Sequence, residues 1–108
     1  MGDTTRTVAE VRTRADDRSL LDELSHRLVD EHLAACVHVR GPERTLYRWQ
    51  GELVLDDEHE LTAVTATDRV AAVAEAIGAA HPYDVPSVLS TTVSTTADYA
   101  AWVEAETR

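Results

Sequence analysis

Cys36 and His38 stand two residues apart in the run AACVHV. On a strand, that spacing turns both side chains to one face. A thiolate beside an imidazole suits a soft or borderline ion such as copper or zinc. Two donors are too few for a closed site, so a metal there needs further donors from other copies of the chain. The competing reading makes Cys36 a small buried hydrophobe, the usual state of a free cysteine. His81 has the same two-sidedness. In the loop HPYDVPS it is either a metal ligand or general base, or a loop anchor bonded to nearby backbone.

Tyr83, Asp84 and Ser87 share that loop, and Pro82 and Pro86 preset its backbone. A preset loop loses little entropy on holding a ligand. Arg48 can grip a carboxylate bidentately, and Glu58 can pair with it or serve as an acid–base group once desolvated. The acidic run Asp56, Asp57, Glu58, His59, Glu60 offers hard oxygen ligands. It lacks the glycine-punctuated spacing of a calcium loop and reads first as a solvated turn. Tyr47, Trp49 and Trp102 suit a ligand cleft, and suit an interface between subunits better. The sequence contains no glycine-rich phosphate loop, nucleophile elbow or His-Glu-x-x-His pattern, so no reaction is assigned.

The elements that must position these residues are organised around residues 33–51, LAACVHVRGPERTLYRWQG. Residues 36–39 read as a strand, Gly41 and Pro42 interrupt it, and residues 45–49 resume it. Gly51 is the natural turning point for an antiparallel return through residues 52–67. So long and bent a hairpin overhangs any core this chain can build, and its aromatic arm needs a partner, most simply another copy. Upstream, residues 5–13 alternate as a strand, and residues 1–4 read as a frayed lead. Leu20, Leu21, Leu24, Leu28 and Val29 predict a helix over 17–33, begun by Asp16 and Asp17. Downstream, Asp68 is expected to cap a helix through Ile77, with Gly78 near its end. Residues 88–93 form a last, rather polar strand, and Thr96 and Asp98 open a short helix carrying Tyr99, Trp102 and Val103. The order β-α-β-β-α-β plus a terminal helix is the ferredoxin-like α+β plan.

A length of 108 residues predicts a single domain over 1–108, burying about two-thirds of its unfolded surface. The formal charge of −10 argues against nucleic acid and against anionic membranes. All ten basic residues are arginine, which excludes Schiff-base chemistry and a lysine phosphate site. One cysteine permits no disulfide within the chain. The N-terminus lacks the apolar core of a signal peptide, Arg6 breaks the myristoylation pattern, and no run approaches a membrane span. The expectation is a soluble, cytoplasmic protein.

LVDEHLAACVHV, LYRWQGEL, Glu58, HPYDVP and the Tyr99–Trp102 tail follow the order and spacing of the CutA family, the divalent-cation tolerance proteins. The chain resembles that family from about residue 7 to residue 104. The resemblance implies a ferredoxin-like subunit in a homotrimer whose hairpins pair between subunits. It also implies an association with divalent metal tolerance, with copper binding in some members. Four family positions differ. Arg14-Ala15 replaces a Cys-Pro, His38 an Asn, Val64-Thr65 a Lys-Thr, and Ser87 a Glu. Arg48, Glu58, His81, Tyr83 and Asp84 are retained.

Three function classes follow. One is a trimeric metal-binding protein using Cys36, His38 and His81, with a divalent ion such as copper as its only candidate cofactor. Another is a small-molecule signalling trimer similar in plan to PII-type proteins. The last is an enzyme reusing the intersubunit cleft around Arg48, Glu58, His81 and Tyr83. In the cleft, the expected ligand is small, partly apolar and anionic, held by Arg48, His81 and Tyr83. The competing reading there is a plain Arg48–Glu58 ion pair between subunits.

Overall fold

Alternation of apolar and polar residues makes the N-terminal segment a strand, β1 (Thr5–Ala15), in the computed structural model, which describes residues 5–108. The reading of residues 1–4 lies outside the described residues. Two residues beyond the expected end, Arg14 and Ala15, stay in register opposite Glu60 and His59. Helix α1 (Arg18–Asp30) starts where Asp17 accepts a hydrogen bond from the Leu20 N–H at 3.2 Å. It stops three residues short of the predicted end. His32 takes a left-handed φ of 58°, and the N–H groups of Leu33 and Ala34 both return to the Leu28 carbonyl.

Strand β2 (Cys36–Trp49) and strand β3 (Glu52–Thr65) form the long hairpin. Its turn has positive φ at Gln50 and Gly51, the geometry whose twist suits a two-residue connection. Gly41 and Pro42 interrupt the strand as a bulge, and the pairing resumes beyond them. Arg40 pairs with Glu60 and Glu43 with Glu58, so one extra residue lies on β2. A short 3-10 turn (Thr67–Arg69) then leads into helix α2 (Val70–Ala80). Asp68 does not cap that helix. It sits inside the turn and pairs with Arg108 at 3.2 Å. Strand β4 (Leu89–Thr96) and helix α3 (Ala97–Glu106) complete the described chain, with the Thr96 hydroxyl capping α3.

The antiparallel sheet has the order β2-β3-β1-β4, so β1 and β2 flank β3 and the ferredoxin-like plan holds. The polar last strand is explained by its place at an edge. On one face, Leu21, Leu24 and Leu28 of α1 and Val73 and Ile77 of α2 close over Val11, Leu61 and Ala63. On the other, Ala100 and Val103 of α3 cover Val8 and Val64. Pairing of β1 with β3 ends at Ala15 and His59, so the hairpin beyond Glu58 projects as a two-stranded ribbon. The molecule is 55 Å long against 27 and 21 Å across. Its radius of gyration of 15.2 Å exceeds the ~13 Å of a compact chain of this size. Among the described residues, no helix is long and apolar enough to cross a membrane.

The bulge needs glycine. Gly41 has φ of 128°, and a Cβ there would stand 2.9 Å from His59 Cα and 3.0 Å from the Glu58 carbonyl oxygen. Gly41→Ala is expected to cost about 1–3 kcal/mol, read as a lower urea midpoint. A midpoint equal to the parent's would show that the bulge accepts a side chain.

Candidate functional site

Strand alternation sets which residues share a face, and the bulge changes the count. Before it, Cys36, His38 and Arg40 lie opposite Val64, Thr62 and Glu60, on the sheet face away from α1 and α2. One inserted residue reverses the parity, so Glu43, Thr45, Tyr47 and Trp49 continue on that same face. Tyr47 accordingly donates its hydroxyl hydrogen to Asp56 Oδ2 at 2.6 Å. Arg48 is turned to the ribbon's opposite face, and its guanidinium folds back to the Gly51 carbonyl at 3.2 Å.

The loop after α2 is tied to the end of β1. His81 Nε2–H donates to the Arg14 carbonyl at 2.8 Å, which leaves Nδ1 to accept the Tyr83 N–H at 3.2 Å. Both ring nitrogens are thereby committed to backbone, the loop-anchoring arrangement. The ring meets Tyr83 edge-on, with centroids 4.7 Å apart. Held so, the Tyr83 hydroxyl accepts the Asp16 N–H at 3.1 Å and donates to Glu58 Oε2 at 2.8 Å. Burial, then the bond to Glu58, raises the Tyr83 phenol well above its ordinary range. The hydrogen bond to Asp56 pushes Tyr47 up to about 12.

Between loop and ribbon lies a cleft of about 540 Å³, lined by Arg14, Tyr47, Trp49, Glu58, the segment from Pro82 to Val85, and Ser87. That volume suits a small molecule. Of the residues singled out from sequence, Glu58, Tyr83, Asp84 and Ser87 come together here. Arg48 and His81 are not part of this lining. Tyr47 and Trp49, weighed for a cleft but preferred for an interface, join it, and so does Arg14, which the sequence did not single out for a site. The parity change at Gly41 and Pro42 is what turns the two aromatics to this face. Arg14 is shared between Glu43 at 2.9 Å and Glu60 at 3.3 Å, and Arg40 reaches the far side of Glu60 at 2.6 Å.

Cys36 lies further along the same face, its Sγ 3.9 Å from His38 Nε2 and 3.5 Å from the Tyr99 hydroxyl. That contact, then burial, pushes Tyr99 up to about 12. Tyr99 in turn lies against Trp102, with ring centroids 5.7 Å apart. His81 is remote from this pair: it holds Arg14, opposite Glu60, whereas Cys36 lies opposite Val64. Among the described residues, no three of His, Cys, Asp and Glu converge to hold a metal ion. One chain therefore offers a thiol and an imidazole, which fits a metal only where other copies add donors.

Residues 9–106 match the family described as CutA1 divalent ion tolerance protein. The divalent-cation tolerance protein CutA of Thermus thermophilus is 35% identical over 85 residues, covering 78% of this chain and 82% of that protein. The Pectobacterium atrosepticum protein of the same name is 33% identical over 95 residues, covering 87% and 86%. The crystal structure of CutA from Xylella fastidiosa superposes with a TM-score of 0.89 at 29% identity, covering 94% of this chain and 98% of that one.

Each of the three tyrosines has a raised pKa, so each contributes stability that is fully present below pH 10 and lost as pH climbs through the raised value. A tyrosinate absorbance titration is expected to show no step at the ordinary 10.0, with Tyr47 and Tyr99 ionising near 12. Asp56→Asn should return one tyrosine toward the ordinary value. A full-amplitude step at 10 in the parent protein contradicts the hydrogen bonds described.

Proposed function

Because the chain belongs to the CutA1 divalent ion tolerance family, we propose that it works as a cytoplasmic homotrimer, one domain per subunit, binding copper through Cys36 and His38. The observation that carries this is the thiol and imidazole 3.9 Å apart on the sheet face away from α1 and α2. Donors added by neighbouring copies would complete the coordination shell that two donors per chain begin. Thiolate and imidazole favour copper over magnesium or calcium, which want oxygen. A free thiol also suits a reducing compartment.

The trimer draws its support from the ribbon. Leu46, Leu53 and Leu55 on its outer face are 63%, 64% and 58% exposed. Trp49 and Trp102 are exposed as well. Apolar surface of this kind, carried on a projecting arm, is what a neighbouring copy would cover.

Sedimentation is expected to give a trimer at micromolar concentration, and the double variant Leu53→Asp, Leu55→Asp a smaller species. A monomeric parent protein sinks the assembly. In copper titrations, Cys36→Ser and His38→Ala should each weaken binding by about tenfold or more. Unchanged affinity in Cys36→Ser would return the cysteine to a packing role beside Val64.

A second reading is favoured by the cleft. Its size, and the junction of Tyr83 with Glu58, support a small-molecule sensor, or an enzyme in which that pair moves a proton.

A further inference from the structure

Resting on the reading of the cleft as a ligand site, we propose that it takes a small organic cation: an ammonium group on an apolar or aromatic body, with Glu58 as its counter-charge. The sheet buries two glutamates on this face. Glu60, 7% exposed, is clasped by Arg14 at 3.3 Å and Arg40 at 2.6 Å. Glu58, 5% exposed, has no cationic side chain within ion-pair distance among the described residues. Among the described residues, its side-chain partner is the Tyr83 hydroxyl. A carboxylate taken out of water without a counter-charge is costly, and this one borders an open cleft.

The rest of the lining agrees in sign. Asp84 adds a second carboxylate. The single guanidinium, Arg14, is already shared between Glu43 and Glu60. Tyr47, Trp49 and Tyr83 supply rings that attract cations and cover an apolar body. A chain charge of −10 draws cations toward it. The anionic ligand expected from the sequence relied on Arg48, which is turned to the other side of the ribbon. The same counter-charge has one other source, Arg48 from a neighbouring copy, so the test must separate the two.

Benzylamine, benzyl alcohol and benzoate share one frame and differ in charge. Calorimetry on the intact protein, followed by tryptophan fluorescence, compares all three in the parent and in Glu58→Gln, Arg48→Ala and a control, Asp22→Asn. Benzylamine should bind about tenfold or more tighter than benzyl alcohol, and benzoate weakest. Glu58→Gln should erase the preference for the amine while leaving the alcohol unchanged, and Asp22→Asn should change nothing. Equal benzylamine binding in Arg48→Ala and parent supports a free ligand. Binding only in Arg48→Ala makes the neighbour's arginine the counter-charge and overturns the proposal. Benzoate binding best also overturns it, yet keeps the cleft as a ligand site. No binding of any probe to any variant removes that reading too.

Discussion

One inserted residue in β2 decides what the outer half of this molecule can do. A strand presents alternate residues to alternate faces without exception, so every side chain beyond Gly41 depends on how the count is kept. With the bulge, Tyr47 and Trp49 continue the face of Cys36 and His38, and the ribbon's aromatic side overlooks Glu58. Without it, Leu46 and Arg48 would stand there instead. The backbone accepts the insertion because Gly41 brings no Cβ against His59, and Pro42 has no N–H to leave unpaired. The cleft, the exposed leucines of the ribbon and the placing of Arg48 all follow from that count.

Electrostatics then divides the face into two unlike halves. Toward the sheet centre, Arg14 and Arg40 enclose Glu60 and their charges are used up. Toward the ribbon, Glu58, Asp56 and Asp84 are met, among the described residues, by hydroxyl groups or by solvent and not by guanidinium groups. The tyrosines feel this directly. Tyr47 and Tyr83 donate to carboxylates, and a phenol so engaged holds its proton more tightly. His81 acts one step behind, since both its nitrogens fix the loop that carries Tyr83.

Much of the scaffold was legible because its determinants are local. The leucines of α1 fall at helical spacing, Asp17 caps it, Gly51 turns the hairpin, and the order of elements names the plan. Corrections arose where a backbone angle or a distant partner took over. The left-handed His32 cut α1 short, and Arg108 drew Asp68 away from capping α2. Glu58, Tyr83, Asp84 and Ser87, named together from the sequence, gather at one cleft of the chain, three of them on a proline-framed loop that is visible in it. The face that Arg48 takes on the ribbon depends on the residue inserted at Gly41 and Pro42, which alternation alone does not show. Of His81's partners, the Tyr83 N–H is local and fits the loop-anchor reading, but the Arg14 carbonyl lies most of the chain away.

The place of β1 in the sheet carries a consequence in time. It leaves the ribosome before the other three described strands, yet its two neighbours, β3 and β4, are made after α1 and after α2 respectively. The β2–β3 hairpin can close on its own as soon as it emerges, since its strands are adjacent along the chain. Until β4 appears, the other edge of β1 stands open, with unpaired amide and carbonyl groups able to recruit a strand from a neighbouring nascent chain. A polysome crowded with such half-made sheets brings like chains together before any of them is finished. Arg6, Glu10 and Arg12, the charged residues along that edge, are the features that would keep the encounter unproductive.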